Sequence, residues 1–117
     1  MIKTFRDIKV WQKAHELVIK IYKITIKFPV EEKYSLANQM RRAVVSVASN
    51  IVEGFKRKSL KDRLHFYNIA DGSLEELKYQ LLVSQDLKYI TEEIYRETIN
   101  LAEEVSKMLN SWIKTQK

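Results

Sequence analysis

The chain contains no cysteine, a single proline, two glycines and no hydrophobic run long enough to enter a bilayer. Each absence closes a class of answers. Without cysteine there are no disulfides, thiolate metal sites or cysteine nucleophiles. With so few turn-forming residues, a few long helices are favoured over many short strands. No stretch of about 18 apolar residues exists, so no membrane span is expected. The opening Met1-Ile-Lys-Thr-Phe-Arg-Asp7 lacks an apolar signal core. Together these readings point to a cytoplasmic protein with no membrane partner. One further absence is local: between Tyr34 and Phe55 there is no lysine, and Glu53 is the only acid. A solvated helix face is normally rich in both.

A length of 117 residues fits one domain, residues 1–117, with one core. The net charge is +6 and unevenly placed. Residues 1–63 carry 15 Lys+Arg and 6 Asp+Glu; residues 64–117 carry 6 and 9. A basic half beside an acidic half permits a polyanion partner, and equally permits head-to-tail matching between helices or subunits.

Apolar periodicity predicts four helices, over about 8–28, 35–55, 59–87 and 91–114. Asp7 is the expected cap of the first and Pro29 its stop; Ser59 and Thr91 cap the third and fourth. In the first, Val10, Ala14, Leu17, Ile21, Ile24 and Phe28 form a seam. Trp11, Val18, Ile19, Tyr22 and Ile26 add a second strip, widening the apolar arc to roughly 220° where an amphipathic helix needs little more than about 100°. The excess predicts burial against a second subunit. The second helix turns Leu36, Met40, Ala43, Val44, Val47, Ile51 and Phe55 to the core, the third Phe66, Ala70, Leu74, Leu77 and Leu81, the fourth Ile94, Thr98, Leu101, Val105, Met108 and Trp112. Gly54, near the end of the second helix, is expected to relieve backbone strain or to let a neighbour approach, and Gly72 to allow close packing against another helix. Short connections predict an antiparallel up-down-up-down four-helix bundle, all-α.

The polar positions of the second helix, Gln39, Arg42, Ser46, Ser49, Asn50 and Glu53, fall within an arc of roughly 120°. This stripe of small hydrogen-bonding groups reads as a network holding the bundle or its assembly together, with Arg42 paired to Glu53, Glu75 or Glu76. The helix then runs into a basic turn. Lys56, Arg57, Lys58, Lys61 and Arg63 read equally as a surface that neutralises phosphates and as a solvated turn. Arg41, adjacent to Arg42 but facing elsewhere, is a candidate for an exposed role, nucleic-acid contact or a subunit boundary. Aromatic residues do not interleave with the cluster as base-stacking platforms do, so recognition of shape or backbone is the expected mode.

Catalytic chemistry finds little support. A di-iron bundle needs two Glu-x-x-His motifs and two more inward acids; the nearest match is Asp62-x-x-His65, one copy with the wrong acid. No glycine-rich phosphate loop occurs, and Ser46, Ser49 and Ser73 lack a suitably spaced histidine. The expectation is a protein that is not an enzyme and holds no metal or cofactor.

The run Phe5-Arg6-Asp7-Ile8-Lys9-Val10-Trp11-Gln12-Lys13-Ala14, then Phe28-Pro29, Glu32, Tyr34 and Leu36, resembles the four-helix-bundle family of 23S rRNA intervening-sequence proteins. So do Gln39, Arg41-Arg42-Ala43, Ser46, Asn50-Ile51, Glu53-Gly54 and Ser73-Leu74-Glu75-Glu76-Leu77. The resemblance spans essentially the whole chain; Ala48 departs from it, where relatives often have proline. It implies a small bundle assembling into a homopentameric ring, a link to RNA, and no enzymatic activity. A related branch, the accessory variability determinant of diversity-generating retroelements, binds nucleic acid and partners a reverse transcriptase, so an adaptor role is the alternative, as is an assembly protein without nucleic acid. The motif residues Gln39, Arg42, Ser46, Asn50, Glu53, Ser73 and Glu76 carry over as folding or assembly residues.

Overall fold

A computed structural model describes residues 1–117. It holds four long helices and no strand: α1 (Lys9–Thr25), α2 (Leu36–Lys56), α3 (Leu60–Asp86) and α4 (Glu92–Gln116), with short 3-10 turns at Phe5–Asp7 and Val30–Glu32. Ser59 accepts from the Asp62 amide and Thr91 from the Ile94 amide, fixing the starts of α3 and α4. Asp7 does not cap α1. It sits in the preceding 3-10 turn, and its carboxylate accepts from the Lys3 and Thr4 amides at 2.8 and 3.0 Å, while Ile8 enters α1 without a side-chain cap. α1 also stops three residues short of Phe28. Pro29 pushes the residue before it out of helical geometry, and the chain tightens into a turn in which the Phe28 amide donates to the Thr25 carbonyl.

α1 packs against α2 and α4, and α3 packs against the same two. Leu17, Ile21, Met40, Val44, Val47, Ile51, Leu74, Leu77, Leu81, Val105 and Leu109 have no exposed surface. Two stripes are re-centred relative to the periodicity. In α3 the first core residue is Tyr67, fully buried, and Phe66 is half-buried. In α4 the buried line is Thr98, Ala102, Val105 and Leu109; Leu101, Met108 and Trp112 are half-buried. Gly54 explains the first change. A Cβ there would lie 2.4 Å from Tyr67 Cε1, so only glycine lets the ring in. Gly72 has no neighbour within 4 Å of where its Cβ would be, contrary to the expected close packing.

Each helix pair carries a polar clasp. Lys13 meets Glu104 at 3.4 Å and Lys20 meets Glu97 at 3.0 Å between α1 and α4. Lys78 of α3 reaches Glu103 of α4 at 2.7 Å. Burial works against the Lys78 charge, but its bonds to Glu103 and Glu75 outweigh that and hold its pKa above the ordinary lysine value. Ser46 and Ser73 share a hydrogen bond of 2.8 Å between α2 and α3. Arg41 Nε of α2 donates to Thr25 Oγ1 of α1 at 2.9 Å. No helix is long and apolar enough to cross a membrane.

Candidate nucleic-acid interface

α2 ends at Lys56, Arg57 is extended, and α3 begins after Ser59. Two of the cluster's five cations build this turn. The Arg57 guanidinium bonds Glu53 at 2.9 Å and lies 4.6 Å from the centre of the Phe66 ring. Arg63 Nε donates to the Arg57 carbonyl at 2.8 Å. Lys56, Lys58 and Lys61 remain exposed, with no ion pair within the chain. A rigid knuckle thus presents three free ammonium groups.

The packing brings more charge to the same place. Gly54 at the end of α2 touches Tyr67 near the start of α3. Tyr67 meets Trp112 near the end of α4, ring centres 6.3 Å apart. The last turns of α4 share a groove with Ile2, Asp7, Lys9 and Val10. The N-terminal segment, the α2–α3 turn and the end of α4 therefore meet at one end of a molecule measuring 43 × 25 × 20 Å. Residues 1–9, 53–63 and 107–117 together hold 11 Lys+Arg and 3 Asp+Glu; all the other residues hold 10 and 12. More than the whole net charge is at this end. Of its three acids, Glu53 is paired to Arg57, and Asp7 is held below the usual carboxylate pKa by the Thr4 and Lys3 amides. Burial pushes the Tyr67 phenol up, an effect that the Arg63 charge only partly offsets; its hydroxyl and the Trp112 indole nitrogen are buried without a hydrogen-bond partner.

Arg41 does not join this surface. It lies about 22 Å from Lys56 along α2, at 1.5 Å per residue, and it is engaged with α1: beyond Thr25, its guanidinium stacks 4.6 Å from the Tyr22 ring centre. The stripe of α2 divides. Gln39, Arg42, Ser46, Ser73 and Glu76 line a shallow groove of about 300 Å³ between α2 and α3. Asn50 Nδ2 donates to the Ser46 carbonyl and hydroxyl at 2.8 and 3.0 Å. Glu53 turns to Arg57 and Glu75 to Lys78, leaving Arg42 with no acid in pairing range, although Glu76 shares its groove. The expected Arg42 pair is therefore not made inside one chain. The second strip of α1 also divides: Trp11 stacks on His15 at 5.1 Å and Val18 is half-buried, whereas Ile19, Tyr22 and Ile26 are 44%, 41% and 74% exposed. Sequence reasoning missed Lys3, Arg6, Lys9, Lys107, Lys114, Lys117 and Trp112 as parts of the basic end. Their only signal is indirect: alternating helix directions would bring both chain termini to the α2–α3 turn.

The family model for the 23S rRNA-intervening sequence protein matches residues 6–111. The chain belongs to that family. Within the S23 ribosomal protein family, a crystal structure of a protein with unknown function from Bacteroides thetaiotaomicron is similar at 30% identity and a TM-score of 0.83, covering 90% of this chain and 95% of the other. No curated protein matches. The resemblance read from the Arg41-Arg42-Ala43 and Ser73–Leu77 motifs is thereby borne out, and both the motif groove and the basic turn lie inside the matched span of this 23S rRNA-intervening sequence protein family member.

Proposed function

We propose that this member of the family is a non-enzymatic, homo-oligomeric bundle that binds structured RNA through its basic end. The observation that carries the reading is the gathering of three chain segments, with 11 Lys+Arg against 3 Asp+Glu, on one end of the molecule. Unpaired lysines release counterions when they meet phosphates, which gives affinity without sequence readout. The rRNA connection in the family's description favours RNA as the polyanion.

The bundle is up-down-up-down: Lys13 with Glu104 and Lys20 with Glu97 pair rising residue numbers on α1 with falling numbers on α4. The assembly is a ring, pentameric as in the family it resembles, closed by a head-to-tail contact through the exposed strip Ile19, Tyr22 and Ile26. A contact along that flank leaves every basic end on one face of the ring, so several copies engage one RNA at once.

The test is titration of a labelled 23S rRNA helix with the intact protein and with the Lys56→Ala, Lys58→Ala, Lys61→Ala variant, whose changes are all at exposed positions. The wild type binds at low salt, and the variant loses affinity by roughly tenfold or more. Undetectable low-salt binding by the wild type sinks the reading; an unaffected variant shows that the wrong surface was chosen.

A further inference from the structure

Between the N-terminal segment and the last turns of α4 lies a groove of about 550 Å³, set inside the basic end. Val10, Met108 and Trp112 contribute its apolar wall. Lys9 and Lys107 stand on its rim, both exposed and neither in an ion pair. Ser111 lines it with an exposed hydroxyl that makes no hydrogen bond within the chain. Asp7 is the one acid of the lining, and the Lys3 and Thr4 amides both donate to one of its carboxylate oxygens, Oδ2.

We propose that this groove holds one unpaired nucleobase of the bound RNA. The inference deepens the reading above and rests on it. A nucleotide supplies the three features that the lining asks for together: a flat, weakly polar ring for Trp112 and Met108, phosphates for Lys9 and Lys107, and hydrogen-bonding edges for Ser111. A groove of this volume matches the usual size of a small-ligand site. Base-to-aromatic contact is indifferent to base identity, so the groove adds a preference for exposed bases without sequence specificity. The basic turn lacks interleaved aromatics in the sequence; Trp112, far away in the chain, supplies one in the fold.

The experiment compares two RNA duplexes of equal charge, one fully paired and one with a single-nucleotide bulge, on protein carrying Trp11→Phe so that Trp112 is the only indole. The bulged RNA binds roughly tenfold tighter and changes Trp112 emission, while the paired RNA binds without that change. Ser111→Phe, at an exposed position, fills the groove: the preference and the emission change disappear, and binding of the paired duplex stays as it was. Equal binding of both RNAs with Trp112 unaffected overturns the groove's role and leaves the RNA reading standing. A preference that survives Ser111→Phe overturns it as well. An emission change produced by an acidic amphipathic peptide instead of by the bulge assigns the groove to a protein partner. Binding of neither RNA overturns the reading of the basic end itself.

Discussion

A methyl group added at Gly54 would land 2.4 and 2.8 Å from Tyr67 Cε1 and Cδ1. The ring cannot swing away, because Tyr67 is fully buried and packs edge-on to Trp112. Gly54→Ala gains about 1 kcal/mol of helix propensity but forces overpacking that costs about 1–3 kcal/mol. Urea unfolding should therefore show a net loss, or no gain, for Gly54→Ala, and a gain near 1 kcal/mol for Gly72→Ala, where the added methyl meets nothing. A clear stabilisation by Gly54→Ala would mean that Tyr67 is not where the structure has it. Asp7 makes a pH prediction. Its folded pKa is lowered from the ordinary 3.8 by the Thr4 and Lys3 amides. A lowered carboxylate pKa contributes stability above its unfolded value and loses it as pH falls through the folded one. Protection of the Lys3 and Thr4 amides, taken relative to the free-chain exchange rate at the same pH, should fall once the pH drops below the ordinary 3.8, ahead of that of the core amides; unchanged protection down through that range would contradict the cap.

At the scale of helices, existence was easy to read from the sequence and orientation less so. Ser59 and Thr91 behave as their position and chemistry predict. Phe66 and Tyr67 are adjacent, both aromatic and about 100° apart on the helix; the 3-4-3-4 spacing of Tyr67, Ala70, Leu74, Leu77 and Leu81 favours Tyr67, and the space left by Gly54 on α2 admits its ring. In α4 the line Thr98, Ala102, Val105, Leu109 runs beside the seam Leu101, Met108, Trp112, and both satisfy a heptad. Only the neighbouring helices set which one is the centre. The α1–α2 clasp shows the same limit. The sequence pairs Arg42 with an acid and leaves Arg41 exposed; the fold reverses the two, with Arg41 bonded to Thr25 and stacked on Tyr22 and Arg42 exposed. Arg41→Ala should cost about 1 kcal/mol of stability, the usual worth of one such hydrogen bond, and leave RNA affinity unchanged. A loss of RNA affinity without loss of stability would return Arg41 to the binding surface.

Across the whole molecule, the sequence displays charge by halves of the chain, and the fold redistributes it by ends. The run Lys56–Arg63 was legible because it is local. Lys9, Lys107 and Trp112 were not, because their neighbourhood depends on which helix ends coincide. Assembly is the second property of this scale. The exposed strip Ile19, Tyr22 and Ile26 predicts a defined oligomer by light scattering at tens of micromolar, and its dissociation on replacing the three residues by serine; a monomeric wild type would contradict the ring. The central claim is that free lysines at the basic end meet phosphates. Its most direct test is the affinity of the wild-type protein for a 23S rRNA helix, measured against salt concentration. Engagement of about five phosphates gives a log–log slope of roughly −3.5 to −4.5, reduced by about two to three when Lys56, Lys58 and Lys61 are alanine. A slope near zero, or one unchanged by the three substitutions, would contradict it.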